Sequence, residues 1–337
     1  MKIGWFQFFC SMMVIWSHAG NAELFLGKLD RSHPLMVFEY QIVPAVVRIS
    51  IPCFLMISGY LFYRGFAMKD LPGKWKRRVK TLLIPYLVWN LLYYFGYLAA
   101  SRISVLEEII NRPGIRFSFA DMVRAMLFYR SNPVFWFMYQ LIILVALAPV
   151  LYLILKEVWS GMLFLAVLLT GIFFRVSLPQ MNLDALLYYS AAAFLALHGR
   201  TFMEGRWTCR RALAGILCLI LGIGISIPYY TRAFIPVIVV YHMLAVLGLW
   251  LLADEDWLKV WKPWMGDTFF IYAFHFIPVR FINKAAAGWL GGNAAAAGLL
   301  YLLMPVPAIG LCCVTASFLR RISPTAWNVL NGGRGVR

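Results

Sequence analysis

Apolar runs dominate this chain and recur at the length of a membrane crossing. Ten segments can be marked, at roughly 3–19, 41–63, 80–99, 134–155, 160–177, 183–199, 211–228, 234–253, 266–283 and 296–319. Each is about 17 to 25 residues long, which is what an α-helix needs to cross a bilayer. Polar and apolar positions do not alternate along them, as barrel strands would require, so helices are predicted. The expected fold class is all-α: a polytopic membrane protein built as a bundle of about ten transmembrane helices. Residues 1–322 read as a single transmembrane domain and 323–337 as a short cytoplasmic tail.

The positive charge between the runs is uneven. One set of loops holds Lys2, Arg64 with GFAMKDLPGKWKRRVK, Lys156, GRTFMEGRWTCRR, Lys259 with Lys262, and the tail from Arg320. The opposite set has a single Arg in PYYTR and a single Lys in NKAAAGWLGGNA. The long loop 100–133 carries five Arg, but long loops weigh little in setting orientation. Both termini are therefore expected in the cytoplasm, with odd-numbered spans running outward. The first segment is expected to be a retained helix, because the residues after it make a poor cleavage site. Within the long loop, ADMVRAMLFYR reads as a short amphipathic helix lying in the interface.

Composition supports the bilayer as solvent. The 337 residues are 62% hydrophobic and 13% charged, against about 25% charged in soluble domains. A net charge of +17 could suggest nucleic acid, but the basic residues cluster beside apolar runs, as positive-inside loops do. No nucleic-acid partner is expected. The six Cys show no CxxC or other metal spacing, so no metal is expected.

Ionisable residues within spans are costly and usually face the bundle interior. His18 ends the first run, in VIWSHAGN. Gln7, Ser11, Val14 and His18 succeed one another at spacings of four, three and four, so they share a helix face. Gln7 and His18 lie about 16 Å apart along the axis; they cannot touch, but they can line one cavity at two depths. An interfacial histidine reaching water is the plainer alternative. Arg48 opens RISIPCFLMISGYLFYR at a similar depth, and it either faces inward or snorkels outward. In the same run Pro52 frees a backbone carbonyl, and Ser58-Gly59 allows close helix approach. Arg175 lies at the outer edge of the fifth span. His275 falls near mid-membrane in the ninth, with the less prominent His242 in the eighth. Trp136 opens the fourth, as interfacial belt or lumen wall. His33 and His198 sit in or beside loops, where solvent exposure is expected. KWKRRVK is a positive-inside cluster that could also hold a phosphate-rich ligand.

Together these pieces resemble the membrane acyltransferase family 3, whose members transfer acyl groups to envelope sugars and other acceptors. The matching stretches are VIWSHAGN, RISIPCFLMISGY, KRRVKTLLIPYLVW, FWFMYQLI, LLYYSAAAFLALHG and FFIYAFHFIPV, in the family's order. The resemblance implies that His18 is the catalytic histidine. The family commonly has Arg or Lys eleven residues earlier, where this chain has Gln7. Either Gln7 does a polar version of that work, or Arg48 or another cation (Lys2, further toward the cytoplasm) supplies the charge, or the activity is altered. The implied reaction takes acyl-CoA, with acetyl-CoA the first choice, at the cytoplasmic face of a bacterial inner membrane. Arg77 and Arg78 would meet its phosphates. The pantetheine arm would pass Gln7 and Ser11, and His18 would deprotonate a sugar hydroxyl of a polysaccharide acceptor. Arg48 or Arg175 would stabilise the oxyanion or orient the acceptor, with Trp136 and His275 as further substrate contacts. A solute transporter and a non-catalytic envelope-assembly protein are the rival expectations.

Overall fold

The computed structural model describes residues 2–104, 106–107, 114–230, 234–258 and 260–334, with backbone only at 227–230. Among the orientation charges, Lys259, Arg112, Arg232 and Arg337 lie outside the described residues. The regular elements among the described residues are helices, joined by turns and short linkers, apart from an isolated bridge between Leu178 and Met181.

The helices used below are α1 (Lys2–Ser17), α2 (Ala22–Leu26), α3 (Ser50–Tyr63), α4 (Leu71–Arg78), α5 (Ile84–Ala100) and α6 (Phe119–Phe128). They continue with α7 (Trp136–Ala146), α8 (Ala148–Leu155), α9 (Val158–Phe173), α10 (Leu183–His198), α11 (Arg200–Glu204), α12 (Cys209–Tyr230) and α13 (Ile235–Leu252). The chain ends with α14 (Thr268–Phe274), α15 (Phe276–Leu290), α16 (Ala294–Leu303), α17 (Pro305–Ile322) and α18 (Pro324–Leu330). Ahead of α3, residues Pro34–Val37 and Val43–Val47 flank a π turn at Phe38–Ile42. The amphipathic stretch expected in the long loop is α6, with Ala125 buried and Asp121 and Arg124 exposed.

Among the described residues, five helical stretches are long and apolar enough to cross a membrane: Pro34–Tyr63, Met68–Ala100, Cys209–Ser226, Ile235–Leu252 and Pro305–Ile322. The bent pair Pro133–Ala146 and Ala148–Leu155 makes a sixth if it is one crossing. The expected runs 3–19, 160–177 and 183–199 correspond to helices of 16 residues each. Large apolar side chains point outward on several helices, including Trp159, Leu163, Ile220, Val306 and Val314. Such a surface suits lipid and not water.

Breaks within the runs reflect proline chemistry. Proline has no N–H for the carbonyl four residues earlier, and its ring collides with that carbonyl. Arg48 and Ile49 form a turn ahead of Pro52, Leu147 interrupts the helix ahead of Pro149, His275 ahead of Pro278, and Met304 ahead of Pro305 and Pro307. At Leu147 the axis turns by 64°. A window of apolar residues does not register these interruptions, which is why 134–155 and 266–283 read as unbroken spans.

The described residues form two compact units, 1–10, 48–75 and 140–265 in the first, and 11–47, 76–139 and 266–337 in the second. In lipid, burying leucine against leucine stabilises little, so close packing and interhelical hydrogen bonds carry the association, each bond contributing about 0.6 kcal/mol on average. The first unit uses small residues for this. Gly59 of α3 lies against the Tyr189 carbonyl of α10, and Gly215 of α12 faces Gly248 of α13 backbone to backbone. Beside Gly59, the Tyr63 hydroxyl donates to the Ala148 carbonyl at 2.9 Å. At one end, Glu204 of α11 takes the Tyr60 hydroxyl at 2.9 Å, Arg64 at 2.6 Å and Arg200 at 3.2 Å.

The second unit is aromatic at its centre. Tyr86, Phe135 and Tyr272 stack in a column, with interplanar angles of 24° and 11°. The two tyrosine hydroxyls donate to backbone carbonyls, Tyr86 to Leu127 at 2.8 Å and Tyr272 to Val134 at 2.5 Å. Tyr93 of α5 donates to Ala273 of α14 at 3.0 Å, and Trp89 donates to Leu330 of α18 at 2.9 Å. The Tyr272 and Tyr93 bonds clamp α14 at its C-terminal end, just short of His275.

Candidate active site

His18 comes directly after the last residue of α1. The helix closes with bonds from the His18 and Ala19 amides to the Ile15 and Trp16 carbonyls, at 3.0 and 3.1 Å. These reach back three residues and tighten the final turn, satisfying carbonyls that would otherwise be free. The Ser17 hydroxyl caps Val14 at 2.7 Å. Four residues, His18 to Asn21, then join α1 to α2.

This linker is held from several sides. The Asn283 amide of α15 donates to the Ala19 carbonyl at 3.0 Å. The Asn21 side chain donates to Asn283 Oδ1 at 3.3 Å and to the Ala297 carbonyl of α16 at 3.2 Å. One oxygen of Glu39, Oε2, accepts the backbone N–H of Asn21 at 2.8 Å and of Ala22 at 3.0 Å. The Tyr301 hydroxyl reaches the Glu39 carbonyl at 3.4 Å. Asn21, Glu39, Asn283 and Tyr301 are all buried. His18 itself is only partly covered.

The imidazole of His18 meets His275, ring centres 5.4 Å apart, and the edge of Phe276 at 5.8 Å. His275 is fully buried at the break between α14 and α15. Its Nδ1 lies 2.7 Å from the Tyr272 carbonyl. A carbonyl only accepts, so Nδ1 carries the proton and in the neutral ring Nε2 is left as an acceptor. Among the described residues, Nε2 has no hydrogen-bond partner. A partly exposed imidazole thus stands beside a buried one whose acceptor nitrogen is unused. Beyond Phe276, α5 and α15 border an open pocket of about 270 Å³ lined by Trp89, Tyr93, Tyr97, Phe276 and Arg280.

The remaining expected residues are distributed more widely. Ser11 is buried in the second unit, where Trp136 is half-buried as the first residue of α7. Arg77 is exposed near the end of α4, and Arg78 stands close enough to Arg334 for their charges to repel. Arg334 lies over the Phe269 ring at 4.7 Å. Gln7, Arg48 and Arg175 belong to the first unit. Gln7 is half-buried, Arg48 is exposed in the turn before α3 although Val47 and Ile49 beside it are buried, and Arg175 is exposed past the end of α9 with a left-handed φ of 55°. Arg48 exerts its charge on His242, which is paired with the Tyr188 hydroxyl at 3.1 Å. His275 and His18 are therefore brought together, while His242 belongs to a separate cluster.

Sequence reasoning missed Glu39, Asn21 and Asn283. Glu39 carried a usable signal, as an acid within PLMVFEYQIV. It lies just ahead of the expected span 41–63. Asn21 and Asn283 sit at the edges of runs, where polar residues are ordinary.

A family model described as an acyltransferase domain matches residues 2–319. The succinoglycan biosynthesis protein ExoH of Rhizobium meliloti (strain 1021) is 27% identical over 332 residues, covering 92% of this chain and 85% of that protein. No solved structure matches.

Proposed function

This chain belongs to the membrane acyltransferase family 3, and from that premise we propose that it moves an acyl group from cytoplasmic acyl-CoA to a sugar hydroxyl. The acceptor is a cell-envelope or exopolysaccharide sugar, a choice supported by the relative named for succinoglycan biosynthesis. Acetyl is the proposed acyl group. Residues 1–322 act as one membrane domain of about ten crossings in a bacterial inner membrane, with both termini in the cytoplasm.

The observation that carries the reading is the His18–His275 pair. His18 is partly exposed, so a hydroxyl can reach it, and the neutral imidazole has an acceptor nitrogen that can take its proton. As His18 accepts that proton, the sugar oxygen bonds to the thioester carbonyl carbon. The tetrahedral intermediate collapses, the C–S bond breaks, and the CoA sulfur leaves with the proton returned from the His18 imidazolium. His275 holds a lone pair toward its surroundings, not a second proton. It can accept a hydrogen bond from substrate or from the His18 ring, and a neutral neighbour does not oppose the charge that forms on His18. Oxyanion stabilisation is assigned to Arg48 or Arg175. Gln7 and Ser11 are assigned to the pantetheine arm, Trp136 to substrate binding, and Arg77 and Arg78 to the phosphates of acyl-CoA.

Membranes holding the protein, supplied with radiolabelled acetyl-CoA, should transfer label to polysaccharide or lipid-linked sugar. His18→Ala, inserted at the same level, should lower that transfer by on the order of a hundredfold or more, the usual weight of a general base. Transfer at the parent rate would remove His18 from the chemistry.

A further inference from the structure

We propose that Glu39 is a positioning residue for His18, acting through the backbone of the His18–Asn21 linker. The proposal rests on the reading of His18 as the base.

A short linker ending a helix is free to take many shapes unless its polar groups are fixed. Here the start of α2 presents N–H groups with no partner inside the helix. The Glu39 carboxylate answers two of them, at Asn21 and Ala22, with one oxygen. The opposite side of the linker is held by Asn283 on Ala19, and the Asn21 side chain is held by Asn283 and Ala297. Of the linker residues, Ala19 and Asn21 are buried in the unit, while the His18 ring emerges toward His275 and Phe276. The clamp therefore sets where the ring stands without touching it.

The local fold around Glu39 suits the task. It lies in the π turn Phe38–Ile42, where one extra residue per turn re-aims the side chains beyond it and often marks a functional place. Its backbone carbonyl is held by Tyr301, so the carboxylate is aimed from a fixed base. The other carboxylate oxygen, Oε1, is buried with no partner among the described residues. The interaction is thus directed wholly through Oε2. An acid that served only to fill space could be exchanged for leucine at little loss. At this position leucine would offer no acceptor and leave two amide donors unsatisfied.

The test compares Glu39→Ala, which removes the acceptor, with Glu39→Gln, which keeps a carbonyl oxygen in place. Thermal melting and insertion level are measured for each. If Glu39→Ala does not insert, Glu39→Ser takes its place. The expected result for Glu39→Ala is a fall in kcat on the order of a hundredfold with the KM for acetyl-CoA unchanged, as for a misplaced catalytic group. Glu39→Gln should recover at least about tenfold of that loss, because it restores the two acceptor contacts. The second readout does not depend on turnover. It is the rate at which diethyl pyrocarbonate modifies His18, measured by peptide mass spectrometry. That rate should rise about threefold or more in Glu39→Ala as the linker loosens, and return toward the parent in Glu39→Gln. Parent kcat in a folded Glu39→Ala protein, a glutamine variant no better than alanine, or an unchanged modification rate would each overturn the proposal. If instead His18→Ala keeps parent activity, the base assignment falls, and the modification rates still decide whether Glu39 sets the His18 linker.

Discussion

The His18 and His275 rings lie 5.4 Å apart and are inclined by 41°, yet they differ in what they can do. His275 is fixed by Tyr272 and sealed from solvent, while His18 stands at the open end of its linker. The pair is suited to a division of labour. One ring exchanges protons with substrate, and the other offers a fixed acceptor.

Replacing His275 by phenylalanine should keep the buried ring volume and the fold but lose the acceptor. The expected outcome is a loss of kcat of about ten- to a hundredfold, the usual weight of a supporting partner. Turnover with labelled acetyl-CoA, set beside the melting temperature, checks it.

Pro278→Ala should give the chain an N–H for the Phe274 carbonyl. Proline inside a helix costs about 3 kcal/mol, so the variant should melt no lower than the parent. The α14–α15 break would relax, His275 would move, and kcat should fall. A variant with unchanged kcat would show that the break does not set the position of His275.

Gly59→Val places a branched side chain against the Tyr189 carbonyl, which belongs to backbone and cannot swing away. Overpacking of this kind costs about 1 to 3 kcal/mol. A lower melting temperature in detergent is expected, with the KM for acetyl-CoA unaltered in the folded fraction.

Arg77→Gln and Arg78→Gln should raise the KM for acetyl-CoA by up to about fivefold each, a surface charge pair being worth up to about 1 kcal/mol. The salt dependence of KM should flatten at the same time, because screened charges are what these variants remove.

Glu204 supplies a pH signature. Burial opposes its ionisation, but the Tyr60 hydroxyl and the guanidiniums of Arg64 and Arg200 outweigh it and hold the carboxyl below its usual 4.5. A depressed folded pKa stabilises above the ordinary carboxylate range, and that contribution is lost as pH falls through the folded value. Parent stability should therefore decline below about pH 4.5, and Glu204→Gln should show a shallower decline. Melting temperature against pH measures both slopes.

The helical, lipid-facing character of the chain was legible from its apolar runs, and the prolines beside the helix breaks were visible as letters. Their effect on run length was not, since hydropathy counts side chains and a break is a matter of one missing N–H. The pairing of His18 with His275 was half legible. His18 reads as an ionisable residue near the outer end of its run and His275 as one near mid-membrane, but most of the chain separates them, and only packing brings them together. Glu39 was hidden for another reason. Its partners are backbone amides, which nearly every residue carries and no pattern of side chains can reveal. Gln7 keeps the question the family pattern raises, because the cation common at that position is absent from this chain.

The short helices also set terms for the surrounding lipid. A 16-residue helix such as α1, α9 or α10 is about 24 Å long, against a hydrocarbon core of about 30 Å. Where such helices cross, local thinning of the bilayer is one way for it to meet their ends. A thinned annulus brings the water on its two sides closer together, and under the proposed reaction that shortens the path between cytoplasmic donor and acceptor. Reconstitution in lipids of stepped acyl-chain length should accordingly favour the thinner bilayers.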